Sequence, residues 1–186
     1  MPTSGATGGG ERMSDDRRIL LLRGVNVGSN RKLPMADLRA ALTGLGLEKV
    51  TTHIQSGNAV FRDPARRAGL GADIAQALAA DFPVAPEALI FDPPAFAAIL
   101  AANPFGDDTA QIGFLARPAA IDDRRLDGLT QGDEAWQASE VAIYLHLPHG
   151  VGRSKLAAGA EKAVGAPLTM RNPRVCRAIL TLAEEL

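Results

Sequence analysis

The sequence predicts an α+β fold made of two similar halves, and two observations lead to this prediction. Apolar residues run continuously or alternate over short segments, as in strands, and recur every three or four positions over longer segments, as in helices. In each half these segments follow one order: strand, helix, strand, strand, helix, strand. Because this order is the signature of a ferredoxin-like unit, we expect two such units in tandem, with a connecting helix and a C-terminal helix.

The first half is predicted to span residues 17–91. The continuous apolar run at 19–22 suits a central strand, so we expect its sheet to be covered on both faces. A helix at 34–45 starts at a proline and is followed by a glycine, residues that favour these two positions. The remaining elements are strands at 50–54 and 59–61 around a hairpin turn, a helix at 70–82 and a strand at 88–91.

Residues 92–108 are predicted to connect the halves through a helix at 94–101, and the second half is expected to span 109–186. Its elements are a strand at 111–116, a helix at 122–129, strands near 134–137 and at 141–147, a helix at 155–164, a strand at 166–170 and a closing helix at 173–186.

Composition narrows the class of protein. The chain has 186 residues, of which 46% are hydrophobic, so it can build a sizeable core. A formal net charge of −1 removes the overall attraction expected of a protein that coats nucleic acid or an anionic membrane. Aromatic residues make up 4%, which leaves little material for stacking on single-stranded nucleic acid. Cys176 is the single cysteine, which rules out an internal disulfide and suits a reducing compartment.

The N-terminal residues 1–16 contain Gly, Ser, Thr and charged residues but almost nothing to bury, so we expect a disordered tail. Either Met1 or Met13 could be the physiological start. The sequence has no apolar stretch of about 18 residues for a membrane span, and its N-terminus lacks the basic and then apolar pattern of a signal peptide. We therefore expect a cytoplasmic protein that does not associate with membranes.

Four short polar motifs stand between the predicted elements. They are RGVNVGSNRK at 23–32, HIQSGN at 53–58, GVGRSK at 150–155 and TMRN at 169–172. Glycine lets the backbone approach a ligand closely, while Arg, Lys and exposed backbone N–H groups bind oxyanions. The motifs therefore predict a binding protein for an anionic or phosphate-bearing ligand, which could be a small molecule, a nucleotide or nucleic acid.

The predicted topology groups these motifs in pairs. Right-handed crossovers make strands one and two of each half parallel, as are strands three and four, so their carboxyl ends lie at shared edges. The first anion site is expected to contain Arg23, Asn26, Lys32, Gln55, Ser56 and Asn58. The second is expected to contain Arg153, Ser154, Lys155, Arg171 and Asn172, with Ser154 capping the helix at 155–164, whose free N–H groups favour an anion.

Two other functions remain open. The motifs could be caps and turns of a structural or interaction domain, because Ser, Gly and Asn are ordinary turn residues. The protein could also be an enzyme acting on a phosphorylated small molecule, with His53 or His146 as acid or base. We find no complete catalytic constellation, no metal-ligand pattern and no cofactor motif, and GVGRSK lacks the Gly and Lys spacing of a phosphate-binding P-loop. The sequence does not indicate an oligomeric state.

Several segments in a fixed order resemble the bacterial domain of unknown function 1697 (DUF1697) family. They are LLRGVNVG, MADLRAAL, TTHIQSGNAVF, LAANPF, IYLHLPHGVGRSKL and the closing TxRN, and they extend from about Ile19 to the C-terminus. The resemblance implies a two-part α+β architecture related to the ferredoxin-like fold. It implies no established activity, cofactor or catalytic residue.

Overall fold

The computed structural model describes residues 15–26, 32–84 and 86–186, which form eight strands and six α-helices in the predicted order. The first half contains β1 (Arg17–Arg23), α1 (Met35–Gly44), β2 (Glu48–His53), β3 (Asn58–Arg62), α2 (Leu70–Asp81) and β4 (Glu87–Phe91). The connecting helix is α3 (Pro93–Ala101). The second half contains β5 (Ala110–Leu115), α4 (Asp123–Leu129), β6 (Ala135–Ala138), β7 (Ala142–His146), α5 (Lys155–Val164), β8 (Leu168–Arg171) and α6 (Pro173–Glu184).

Each half contributes one four-stranded antiparallel sheet. The strand order is β2-β3-β1-β4 in the first sheet and β6-β7-β5-β8 in the second, so the two halves repeat one topology. Strand β1 pairs with both β3 and β4. The continuous apolar run at 19–22 therefore lies in an inner strand, as the sequence predicts.

Helices cover both faces of both sheets. Helices α1 and α2 pack on the outer face of the first sheet, against Leu20 and Leu22. Helices α4 and α5 pack in the same way on the outer face of the second sheet. Between the sheets lie α3 and α6, which contact the inner face of the first sheet through Ile19 and Leu21 and that of the second through Ile112. The layers are thus helix, sheet, helix, sheet, helix.

Four helices begin with a polar side chain that accepts a backbone N–H from the first helical turn, which satisfies a donor without an intrahelical partner. Asp92 caps α3, Asp122 caps α4, Ser154 caps α5 and Asn172 caps α6. Ser154 therefore has the capping position predicted for it. None of the helices in the described ranges combines the length and apolar character needed to cross a membrane.

Most element boundaries differ by one or two residues from the predicted ones, and two of these differences decide where Asn58 and Arg171 lie. Asn58 is the first residue of β3 rather than part of the preceding turn. Arg171 is the last residue of β8, one position beyond the predicted end of that strand. Both side chains therefore follow the alternation of a strand, in which successive residues face opposite sides of the sheet.

The predicted tail is corrected at its C-terminal end. Asp15 accepts the backbone N–H of Arg17 at 3.0 Å, and Asp16 accepts that of Asp63 at 2.8 Å. The Asp16 carboxylate also pairs with Arg62 at 2.6 Å. These two aspartates belong with the first half, and the rest of the predicted tail, residues 1–14, lies outside the described residues.

Candidate functional site

Three of the four motifs meet where the two halves contact each other. We call this region the polar junction and define it as Arg23, Ser56, Asn58, Thr169 and Arg171. Alternation along the strands explains why these residues meet. Arg23 continues the inward-facing series of β1 after Ile19 and Leu21, and Asn58 precedes the inward-facing Val60 of β3 by two positions. In β8, Leu168 and Met170 pack toward α4 and α5, so Thr169 and Arg171 face the opposite way, toward the first half.

The Arg171 guanidinium uses its N–H donors entirely on protein acceptors. Five hydrogen bonds leave its Nε, Nη1 and Nη2 atoms, as many as a guanidinium can donate. The acceptors are Asn58 Oδ1 at 2.6 Å, Thr169 Oγ1 at 2.8 Å and the backbone oxygens of Met170 at 2.8 Å, Ser56 at 2.7 Å and Leu22 at 3.1 Å. Arg171 therefore joins β8 to the first half and keeps no donor for a ligand.

This guanidinium is a buried cation without a carboxylate partner among the described residues. Only 8% of Arg171 is exposed, and its acceptors are carbonyl, amide and hydroxyl oxygens. Burial disfavours the charged form and lowers the pKa of Arg171 to about 10. The group is still protonated at neutral pH, and the oriented dipoles around it replace the water that it loses.

The turn before β3 and the first residue of β3 supply two acceptors to Arg171, the Ser56 carbonyl and Asn58 Oδ1. Asn58 is fully buried, and its amide donates to Ser56 Oγ at 2.8 Å and to the His53 carbonyl at 3.1 Å, while its oxygen accepts from Arg171. Gly57 has φ of +73°, and a Cβ atom there would lie 2.8 Å from the Cβ atom of Leu22. Only glycine fits that position, so the Gly of HIQSGN has a packing role.

Arg23 makes a second contact between the halves. Its Nη2 atom donates to both carboxylate oxygens of Glu161, at 2.7 and 2.9 Å, and its Nη1 atom donates to Glu87 at 3.2 Å. The hydrogen bond with Glu161 is the main reason that the pKa of Arg23 is raised. The same pair covers the free edge of β8, because Leu168 donates its N–H to Glu161 and its carbonyl accepts from Arg23, each at 3.2 Å.

Asn26 connects the end of β1 to Leu33 and to the hairpin turn. Its amide donates to the carbonyls of Gln55 at 2.7 Å and Leu33 at 3.0 Å, and its oxygen accepts the Leu33 N–H at 2.8 Å. The side chains of Lys32 and Gln55 are exposed. The structure thus brings Asn26 to the predicted turn but gives Arg23 carboxylate partners elsewhere.

The grouping predicted for the second anion site is wrong. Arg171 was expected to meet Arg153, Ser154 and Lys155, but it points to the inner layer, whereas α5 and the motif before it lie on the outer side of the same sheet. Strand alternation is the cause, since it turns Arg171 away from the face that α5 covers. Asn172 caps α6 by accepting the Val175 N–H at 2.8 Å.

The GVGRSK motif is exposed except at Ser154, which is buried. A short 3-10 turn at Val151–Arg153 leads to Ser154, whose Oγ accepts the Ala157 N–H at 3.0 Å. Arg153 and Lys155 flank this cap and are both exposed. The first turn of α5 contains no acidic residue. Two cations therefore stand beside the positive end of a ten-residue helix.

The two histidines named as candidate acids or bases lie in different sheets, His53 at the end of β2 and His146 at the end of β7. His146 Nδ1 lies 2.8 Å from Thr109 Oγ1, and the exposed His149 pairs with Asp133 at 3.0 Å. The Cys176 thiol is buried, and burial raises its pKa to about 12, which keeps it protonated and unreactive. Within the described residues, no group of three or more His, Cys, Asp or Glu side chains is placed to hold a metal ion.

Glu161 and Glu87 are the partners that sequence reasoning missed. Both are single carboxylates outside the four motifs, so no local pattern marks them. Ile19, Leu21 and Arg23 occupy alternate positions of β1, so their side chains lie on the same face of the sheet. This spacing indicates that Arg23 faces the second half and needs a polar partner there.

Comparison with known proteins places the chain in a family. The sequence profile of the family described as a protein of unknown function (DUF1697) matches residues 16–144. The chain belongs to this family. Among solved structures, it is similar to the conserved bacterial protein SP0830 from Streptococcus pneumoniae, with a TM-score of 0.68 and 24% sequence identity. That match covers 90% of this chain and 98% of the other, and at this identity it shows a shared fold alone. No curated protein matches the chain.

The DUF1697 match includes the first two motifs and ends at Tyr144, before GVGRSK and TMRN. The turn that receives Arg171 therefore lies inside the matched region, whereas Arg171 itself lies beyond it.

Proposed function

We propose that this DUF1697 protein binds an anionic ligand at the start of α5. The observation that supports this proposal is that GVGRSK keeps both of its cations exposed, whereas Arg23 and Arg171 donate to protein acceptors. Arg153 and Lys155 supply positive charge, and Ser154 holds the helix start in place.

The helix itself favours an anion at this end. The first N–H groups of a helix have no intrahelical partner, and the aligned peptide dipoles place partial positive charge there. Helices α1, α2 and α4 carry Asp37, Asp73 and Asp123 in their first turns, which neutralise that charge. Helix α5 has no such residue, and neither do α3, which is capped by Asp92, and α6, whose Arg174 pairs with Asp108. The first turn of α5 can therefore accept negative charge from a ligand.

A small phosphate-bearing molecule fits this site better than nucleic acid does. Nucleic-acid affinity comes largely from many phosphate contacts with Lys and Arg, and the site offers two cations on a chain with net charge −1. Lys32 is a further exposed cation, but it lies next to Leu33, whose carbonyl accepts from Asn26.

We also propose that each half is a ferredoxin-like unit, with halves at 17–91 and 109–186 joined by the connector at 92–108. The repeated strand order β2-β3-β1-β4 and β6-β7-β5-β8, with two helices on the outer face of each sheet, supports this assignment. The single buried cysteine is compatible with a cytoplasmic location.

Isothermal titration with inorganic phosphate, nucleotides and sugar phosphates tests the anion site. For the tightest ligand of this panel, we expect Arg153→Gln and Lys155→Gln each to weaken binding about tenfold, because each removes a charge-assisted hydrogen bond. Arg124→Gln is the matched control, since Arg124 is an exposed cation on α4. Affinities that are equal in all three variants, or no binding by the parent protein, would contradict the proposal.

A further inference from the structure

Four strands form the edges of the two sheets, and three of these edges are protected. The pair Arg23 and Glu161 covers both peptide groups of Leu168 in β8. Strand β2 has a register shift between Glu48 and Thr51, and irregular or charged edges resist pairing with another strand. Strand β6 has only four residues, and short edges offer little to pair with. Strand β4 pairs with β1 in an unbroken register over its five residues, and its one charged residue is Glu87 at its start.

The peptide groups of β4 that point away from β1 belong to Ala88 and Ile90. Leu22 donates its N–H to Gly57 in the hairpin at 2.8 Å, so its peptide groups point toward β3 and away from β4. Its partner in β4 is Ala88, which therefore directs its N–H and C=O away from β1. Ile90 lies two positions further along and points the same way. No group in the described parts of the chain bonds to the outward N–H of Ile90.

A slot of about 430 Å³ runs along this edge. Its floor is the backbone of β4. One wall is the start of α2, with the small residues Ala72 and Ala75, and the other is the end of β5 at Leu115 and Ala116. The walls come from different halves, so the slot lies along the boundary between them.

We propose that this slot accepts an extended segment of a partner polypeptide, which adds a strand to β4 and carries a basic side chain near Glu87. Unpaired N–H and C=O groups in a regular row are complementary to the backbone of another strand. The charge at one end favours a basic residue, because Glu87 lines the slot with a side chain that is 43% exposed and has a single contact to Arg23, at 3.2 Å.

The walls of the slot favour binding of an isolated peptide segment over pairing with β4 of a second copy of this chain. A second β4 would arrive with its own α2 and β5 walls, and two recessed edges cannot enter each other. The wall also limits the length of pairing. Gly71 approaches so closely that a Cβ atom there would lie 2.6 Å from the Ala88 carbonyl oxygen, which centres the pairing on Ile90. We therefore expect a short segment and modest affinity.

Fluorescence anisotropy with the labelled peptide KVTVTVK tests this inference. The peptide combines strand-forming residues with basic ends, and KVPVPVK is its control, because it has the same charge but lacks two backbone donors. We expect saturable binding of KVTVTVK, with KVPVPVK and the acidic peptide EVTVTVE each at least tenfold weaker. Absent binding of KVTVTVK, or equal binding of the three, would refute the proposal.

Two pairs of variants locate the binding to the slot. Ile90→Pro removes the outward N–H but no bond to β1, and Ile90→Val keeps that N–H. Ala72→Leu fills the slot from an exposed helix position, and Ala79→Leu changes an exposed position of α2 that does not line the slot. We expect the first member of each pair, and not the second, to weaken binding at least tenfold. Unchanged binding by Ala72→Leu would overturn the assignment even if Ile90→Pro does not fold.

Sedimentation velocity of the protein without peptide tests the alternative that a second copy of this chain pairs with β4. We expect a sedimentation coefficient independent of concentration up to those used for binding. Self-association that Ala72→Leu abolishes would assign the edge to a second copy and overturn the peptide proposal.

Discussion

The polar junction and the start of α5 contain the same kinds of residue, but the fold uses them in opposite ways. At the junction, Arg171 is 8% exposed and donates five hydrogen bonds to protein oxygens. At the start of α5, Arg153 and Lys155 are exposed beside a helix end without acidic residues. A motif rich in Arg, Asn, Ser and Gly can therefore fix two parts of a chain together or remain available to a ligand, and its composition does not distinguish the two.

Removing Arg171 should give the largest effect. Arg171→Met keeps much of the side-chain volume but leaves Asn58 Oδ1 and the Ser56 carbonyl without their donor. Because each buried acceptor that loses its partner costs about 1–3 kcal/mol, we expect the free energy of unfolding to fall by about 3–5 kcal/mol in total. Urea denaturation followed by circular dichroism measures this change.

Arg171→Lys is the control for charge. Lysine keeps the positive charge but has at most three donors, so it should recover only part of the stability lost in Arg171→Met. Full recovery would show that charge alone matters and would contradict the role assigned to the five hydrogen bonds.

Two glycines provide the next comparison, because both have positive φ but only one lies at the junction. Gly57→Ala would place a Cβ atom 2.7 Å from Val25 Cγ2, whereas Gly150→Ala, in the exposed motif, meets no atom within 4 Å. We expect a loss of about 2–4 kcal/mol for Gly57→Ala, from unfavourable φ plus overpacking, and about 1–2 kcal/mol for Gly150→Ala, from its backbone conformation of φ 84° and ψ 156° alone. Equal losses in thermal denaturation would argue against tight packing of the HIQSGN turn.

The order of elements could be predicted from the sequence because apolar periodicity is local. The partners of the junction could not, because they depend on contacts between distant segments. Asn58 and Arg171 are 113 positions apart, and nothing near either residue indicates the other. The predicted β8 also ended one residue too early, so Arg171 was not assigned to the strand. Without that assignment, strand alternation could not show which way the Arg171 side chain faces. In contrast, Ser154 could be placed correctly because helix capping depends on neighbouring residues alone.

We expect a smaller loss of stability when the partly exposed contact between Arg23 and Glu161 is removed. Glu161→Gln replaces the carboxylate that binds Arg23, but 45% of the Glu161 side chain and 34% of that of Arg23 are exposed, so water and salt screen the pair. We expect a loss of about 1 kcal/mol at low ionic strength that shrinks at high salt. Glu140→Gln, at an exposed position, is the control and should change stability at neither ionic strength. A loss that does not depend on salt would mean that packing, not charge, holds this contact.

The smallest effect on stability is expected at the start of α5, and this expectation separates the two regions most directly. Arg153→Ala and Lys155→Ala remove exposed side chains whose loss leaves no buried group unpaired, so the free energy of unfolding should change by less than about 0.5 kcal/mol. The double variant should even be slightly more stable than the parent at low ionic strength, because two cations beside the positive end of a helix repel its dipole. Thermal denaturation at low and high salt measures both changes. A loss above 1 kcal/mol would show that these cations have structural partners, as Arg171 does, and the start of α5 would then no longer differ from the polar junction.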